Sequence, residues 1–273
     1  MKTCLLLAGT IAALGGAPAL AKTPLVLAPH RAVYDLSFVR SAEARGVDAA
    51  RGRIVFEISG SACEGYSSSF RQVVQMESGE AGPRMMDVRS SSFEDPEGKG
   101  FRFQIDRVNN RDPQQTTAGR TQSGENGLAI QLTKPKADRV PLPRDVLFPS
   151  FHTRALIEAA EAGKNTLSAR TYDGSDEGKA VYDTFAVIGQ PIQGSAGSIE
   201  QAARQPALEK MKRWPVTISY YKPGVGDQTP TYVMSMELYE NGVSRNLTLD
   251  YGSMALKGEL SRLDFSKPAA DCK

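Results

Sequence analysis

Apolar residues recur at every second position through most of this chain, and that period commits it to half-buried strands rather than helices. Tyr34, Leu36 and Phe38 share one face of the segment from His30 to Arg40. Ile54, Phe56 and Ile58 repeat the pattern, then Phe70, Val74 and Met76. Phe101, Phe103 and Ile105 alternate with Arg102, Gln104 and Asp106, and Leu128, Ile130 and Leu132 follow. The second half adds Leu167, Ala169 and Thr171, then the run from Val181 to Ile188, then Val216, Ile218 and Tyr220. Tyr232, Met234, Met236 and Leu238 lead through Asn241-Gly242 to Leu247, Leu249 and Tyr251. A last strand runs from about Leu256 to Phe265. The pattern predicts about 12–14 strands. Asn241-Gly242 predicts a two-residue hairpin, because both residues tolerate positive φ.

Short polar turns between strands predict consecutive antiparallel hairpins, since parallel units would need a helix after almost every strand. One segment does read as a helix. Phe151, Ala155, Ile157 and Ala159 supply an apolar stripe, with Ser150 as the expected N-cap and Gly163 just past the end. A weaker helical stretch spans roughly residues 198–211, interrupted at Pro206. No repeat or long linker divides the chain. The expected fold is therefore mainly β, a single domain over residues 22–273, with its sheet curled into an open or broken barrel and one or two helices packed on it.

The first 21 residues stand apart. Lys2 precedes an apolar run from Leu5 to Ala17, too short to span a bilayer, and Ala19-Leu20-Ala21 offers small residues for cleavage. A cleavable signal peptide is expected, with Lys22 first in the mature chain and the periplasm or an equivalent compartment as its destination. No later stretch approaches the ~20 apolar residues of a transmembrane helix. Cleavage removes Cys4 and leaves Cys63 and Cys272. Two cysteines in an exported chain most often pair; a free thiol pair and a metal site are the competing readings. C-x-x-C spacing and a four-ligand zinc pattern are both absent.

Charge argues against two function classes. The 33 basic and 31 acidic residues nearly balance, so no overall field draws nucleic acid or an anionic membrane. Lys210, Lys212 and Arg213 are expected on a solvated face. Catalytic signatures are missing: no G-x-S-x-G and no H-E-x-x-H occur. The stretch from Gly174 to Ala180 has the wrong glycine spacing for a phosphate loop and is expected to be a turn, with Asp173, Asp176 and Glu177 a solvated acidic cluster. His30 opens a strand and His152 opens the helix, and neither is placed by spacing beside a nucleophile. No catalytic residue, metal ligand or cofactor is assigned, and the chain is expected not to be an enzyme. A curled sheet has a concave apolar face that is either packed solid or holds a lipid-like ligand. Phe101, Phe103, Ile105, Met234 and Met236 are the candidate lining of that face, methionine being adaptable to an acyl chain.

Several pieces in order resemble the EipB-type cell envelope integrity proteins, a periplasmic family of Gram-negative bacteria. They are Pro29-His30-Arg31-Ala32-Val33-Tyr34, Cys63, Leu147-Phe148-Pro149-Ser150-Phe151-His152, Tyr172-Asp173-Gly174-Ser175, Tyr239-Glu240-Asn241-Gly242 and Cys272. The resemblance covers essentially the whole mature chain. It implies a spiral-like broken barrel, a disulfide joining Cys63 to Cys272, and a role in envelope maintenance rather than a known catalytic activity. Another envelope protein or a lipid-like ligand is the expected partner. If Cys63 and Cys272 pair, Cys63→Ser or Cys272→Ser lowers the melting temperature and raises protease sensitivity under oxidising conditions. Equal melting temperatures with and without reductant would refute the pairing.

Overall fold

A computed structural model describes residues 25–41, 47–79, 82–110, 112–124, 127–194, 197–224 and 229–267. The expected signal segment, Cys4 and Cys272 lie outside these residues.

The first half of the chain forms an antiparallel meander. Its strands are β1 (His30–Ser41), β2 (Ala49–Ser61), β3 (Gly65–Glu77), β4 (Arg84–Glu94), β5 (Phe101–Asn109), β6 (Gln115–Gly124), β7 (Gly127–Lys134) and β8 (Asp138–Pro141). After a short crossing the chain makes β9 (Val146–Leu147), helix α1 (Pro149–Glu161) and β10 (Thr166–Thr171). Then come β11 (Tyr182–Ile188), β12 (Ile192–Gln193), helix α2 (Pro206–Glu209), β13 (Lys212–Tyr221), β14 (Tyr232–Tyr239), β15 (Ser244–Asp250) and β16 (Met254–Phe265). All sixteen strands belong to one sheet, in the order 8-7-6-5-4-3-2-1-16-15-14-13-11-10-9, with β12 attached to β13. The first and last strands therefore pair in the middle of the sheet, antiparallel from His30↔Phe265 to Ser41↔Met254. Among the described residues only β9 and β10 pair in parallel.

Sixteen strands exceed the number read from alternation. β4 carries Ser90, Ser91 and Ser92 across its middle, and β6 is mostly Thr, Gln, Gly and Arg. Such strands are recruited by their neighbours' backbone groups, which must pair when a sheet is buried on one face. The two-residue strands β9 and β12 are too short to show any period.

The sheet does not close by hydrogen bonds between β8 and β9. Instead, its β9–β10 end packs against the inner face of β5–β7. Phe148 stacks on Phe101 at 4.7 Å, and Tyr172 meets Phe101 and Phe103 edge-on at 6.0 and 5.8 Å. Ile130, Leu132, Leu142 and Val146 complete this second buried cluster. The turn after Tyr172 is held against the same wall by Tyr172 Oη, which donates to Gly178 O at 2.8 Å. Glycine is required there: Gly174 has φ +83° and a Cβ would lie 2.4 Å from the Phe103 ring. The phosphate-loop lookalike is thus a packed turn, ending in a short 3₁₀ helix over Asp176–Gly178.

The main core fills the other side of the curl. α1 lies across the concave face and contributes Leu156, Ile157, Ala159 and Ala160. Its C-terminus closes as expected, with Gly163 at φ +71°, Gly163 N–H to Ala160 O at 3.0 Å and Lys164 N–H to Ala159 O at 2.9 Å. Its N-terminus differs from expectation. Phe148 is the N-cap and supplies no side-chain acceptor, and Ser150 lies inside the helix. The second helical stretch reduces to a 3₁₀ turn over Gln201–Ala203 and the four-residue α2. The β14–β15 hairpin also differs. Within its loop only Gly242 has positive φ, and the bonds Gly242 N–H to Tyr239 O and Tyr239 N–H to Val243 O enclose three residues. Asn241 does not take a positive φ, and its Oδ1 accepts from Val243 N–H at 3.2 Å.

Arg213 corrects the expected solvated basic face. Lys210 and Lys212 are exposed, but Arg213 is only 1% exposed. Its Nε donates to Glu237 at 2.5 Å and its Nη1 to Gly194 O at 2.7 Å. Arg245, equally buried, donates to Glu237, Glu200 and Ser198 O. Two cations and two anions so pin the segment preceding α2 onto β13–β15. Removing one partner strands a buried charge, which typically costs about 3–5 kcal/mol. Arg245→Met is expected to lower unfolding free energy by about that amount in urea titrations, and Glu200→Gln in the same chain to restore part of it.

Candidate functional site

The inner faces of β1–β3 and β14–β15 leave a hollow of about 210 Å³ under α1. Alternation directs Tyr34, Ile54, Phe56 and Phe70 into it from one side and Met234, Met236 and Leu249 from the other, with Thr153 of α1 above. Gln72 is the polar exception on this wall, and it is engaged: its Nε2 donates to Tyr251 Oη at 3.1 Å. That bond spans the curl, since β3 and β15 are four strands apart in the sheet. Tyr251 continues a row of rings through Tyr232, Tyr220 and Tyr182, at centroid spacings of 5.0, 5.4 and 6.2 Å. Burial pushes all four phenols above their ordinary value, so they remain neutral donors and acceptors.

A second hollow of about 130 Å³ shares Phe56, Thr153 and Gly242 with the first and is more polar. His30, Tyr66, Ser68, Glu94 and Ser150 border it. Glu94 projects from the end of β4 and supplies what the N-terminus of α1 lacks. Its Oε1 accepts from Ser150 N–H at 2.8 Å and its Oε2 from Ser150 Oγ–H at 2.6 Å. A carboxylate at the first turn of a helix also meets the positive end of the helix dipole. Burial nonetheless raises the Glu94 carboxyl above its usual range, against the pull of the Ser150 bonds. His30 is held neutral by burial, and its Nδ1 lies 2.7 Å from Ala28 O. A carbonyl only accepts, so Nδ1 carries the proton and Nε2 is left as an acceptor.

The polar groups around the hollows are engaged in hydrogen bonds. Ser150 gives its hydroxyl proton to Glu94. Thr184 gives its own to Ala169 O at 3.0 Å, and His152 Nε2 stands a loose 3.5 Å from that hydroxyl. Among the described residues no group of three or more His, Cys, Asp or Glu side chains could hold a metal ion. Asp176 pairs with Lys222 at 2.9 Å.

Three comparisons with known proteins bear on this arrangement. A family model described as EipB-like matches residues 21–267. The chain belongs to the EipB-like family. It is 34% identical over 240 residues to the cell envelope integrity protein EipB of Brucella abortus (strain 2308), covering 88% of this chain and 84% of that one. A crystal structure of a beta-barrel-like protein of a domain of unknown function, also from Brucella abortus, superposes with a TM-score of 0.80 at 33% identity. That match covers 88% of this chain and 99% of the other.

Within this EipB-like fold the sequence-selected lining residues separate. Met234 and Met236 border the apolar hollow. Phe101 and Phe103 lie on the inner face too, but inside the second cluster, where the sheet's end covers them. Ile105 borders a different depression beside Arg107 and Asp176. Cys63 stands in the turn between β2 and β3. Glu94 and Gln72 carry no sequence signal of their own, being single polar residues in alternating strands.

Burial alone holds the His152 imidazole down to about 4 from an ordinary value of 6.5. Between those values the unfolded chain binds a proton that the folded chain refuses. The resulting stability is full above about pH 6.5 and is lost as pH falls toward about 4, amounting to about 3 kcal/mol. His30 adds in the same sense, while Glu94, with its raised value, works in the opposite one. His152→Leu is therefore expected to flatten the acid limb of stability between pH 6.5 and 4.5, read by urea unfolding at each pH. An unchanged slope would contradict it.

Proposed function

We infer that this protein supports the integrity of the cell envelope as a non-enzymatic periplasmic protein that holds an amphipathic, lipid-like molecule inside its curled sheet. The observation that carries the reading is the pair of adjoining hollows, one lined by Met234, Met236 and aromatic rings, the other by His30, Glu94 and Ser150. Together they reach the lower end of the ~300–1,000 Å³ typical of small-molecule sites. An apolar compartment beside a polar one suits a molecule with a hydrocarbon part and a hydrogen-bonding head. The envelope role is supported by the name of the Brucella relative, and the periplasmic address by the N-terminal pattern of residues 1–21. A disulfide between Cys63 and Cys272 belongs to the same reading, since that compartment is oxidising. A solidly packed scaffold would have no reason to leave methionines facing unfilled space.

Protein recovered from the periplasm, analysed by native mass spectrometry and by solvent extraction, is expected to carry a bound amphipathic molecule. Met234→Trp should fill the hollow and abolish that adduct, at an overpacking cost of about 1–3 kcal/mol. Wild-type protein free of any adduct, which also fails to bind added fatty acid or lysophospholipid, would overturn the reading.

A further inference from the structure

The outer face of the sheet carries a charge arrangement that the interior reading does not use. Arg102 on β5 and Arg120 on β6 are direct cross-strand partners, both exposed. Like charges directly opposite each other on antiparallel strands destabilise the pair. The same sheet shows how such a pair is normally neutralised. Arg71 and Arg89 are also direct partners, and Asp87 between them accepts from both, at 2.8 and 2.9 Å, which holds its carboxyl down at about 2. Among the described residues Arg102 and Arg120 have no ion-pair partner. The nearest acid along β5, Asp106, is already taken up by Gln104, Gln114 and Thr116.

The two guanidiniums border a shallow groove of about 720 Å³. Its floor is small, at Ala118 and Gly119, so backbone lies close beneath. Ser67, Ser91 and Gln104 offer hydroxyl and amide groups around it, and Arg102 lies over the Phe93 ring at 5.8 Å. One row farther on, through Gln131, stands exposed Arg139. Two forked guanidiniums on adjacent strands can converge on one tetrahedral anion, and an aromatic face with neighbouring hydroxyls suits the polyol that carries it.

We propose that this groove is a binding site for a phosphoryl group borne on a sugar or other polyol, with Arg102 and Arg120 as its anion-binding pair. The anion does for this pair what Asp87 does for Arg71 and Arg89. Calorimetric titration of the full mature chain at low salt with glucose 1-phosphate, and flotation with phosphatidylglycerol vesicles, separate a soluble phosphorylated sugar from a membrane headgroup. Glucose and phosphatidylcholine vesicles are the uncharged and zwitterionic controls. At least one phosphoryl probe is expected to bind saturably, and Arg102→Gln or Arg120→Gln to weaken it at least tenfold. Arg71→Gln is expected to leave that binding unchanged. Without ligand, Arg120→Gln should melt no lower than wild type, because it relieves repulsion; a purely structural arginine would melt lower. Failure of both phosphoryl probes to bind, binding kept by the Arg102→Gln/Arg120→Gln double variant, or equal binding of the controls would each overturn the proposal.

Discussion

β8 and β9 are separated by four residues of chain, yet they stand at opposite ends of the sheet's hydrogen-bonded order. Everything else in the fold follows from how that mismatch is resolved. A strand edge left open is a template for unwanted pairing, and full closure into a barrel is one remedy. Here the remedy is overlap. The β9–β10 end is drawn under β5–β7 by Phe148, Tyr172 and the Gly174 turn, so ring packing does what a ladder of hydrogen bonds would do in a closed barrel. Because side chains fix the overlap, the remaining arc is wider than its own side chains can fill, and α1 lies across it. α1 in turn depends on a strand, since Glu94 supplies the cap that Phe148 cannot.

The distribution of charge follows the same geometry. The groups inside the curl are kept neutral: two imidazoles and four phenols are displaced by burial in the direction that removes charge. Glu94 is displaced the same way and is tolerated because a helix terminus faces it. Full charge is buried and balanced in the Arg213, Glu237, Arg245 and Glu200 network. The outer face holds the rest, in pairs such as Arg53 with Asp35 and Arg40 with Asp250. Such exposed pairs contribute little to stability individually. They do keep a broad sheet surface hydrophilic, which a large curled sheet needs on its convex side.

What the sequence shows and what it conceals divide along a physical line. Strands that bury one apolar face announce themselves by period two, and so β1, β2, β5, β7 and β13–β16 are legible. β4 and β6 are concealed because their pairing comes from neighbours rather than from their own side chains. Gly163 is legible because a helix terminus of that shape needs a left-handed residue at a fixed offset. The other end of α1 is not, because its cap lies 56 residues away in sequence, and Ser150, which looks like a cap, is the donor to it. Arg213 reads as solvated beside Lys210 and Lys212, yet its partners arrive from β14 and from the segment before α2. Met234 and Met236 are legible as inner-face residues. Whether such residues line space or pack solid depends on what the far end of the sheet covers, and that is a property of the overlap.

Several polar residues that stand out in the chain fasten the fold. Ser150 and Glu94 anchor α1 to β4, Thr184 beside His152 bonds to β10, Tyr172 closes its own turn, and Asp176 holds Lys222. Each bond here positions an element on which the overlap relies. The elements free of such duties are of another kind: apolar walls with no side chain to fill them on the inside, and guanidiniums with no acid to meet them on the outside. Both are incomplete in the same physical sense, since packing leaves one short of contacts and electrostatics leaves the other short of counter-charge. Those two deficits are where a ligand gains most by binding.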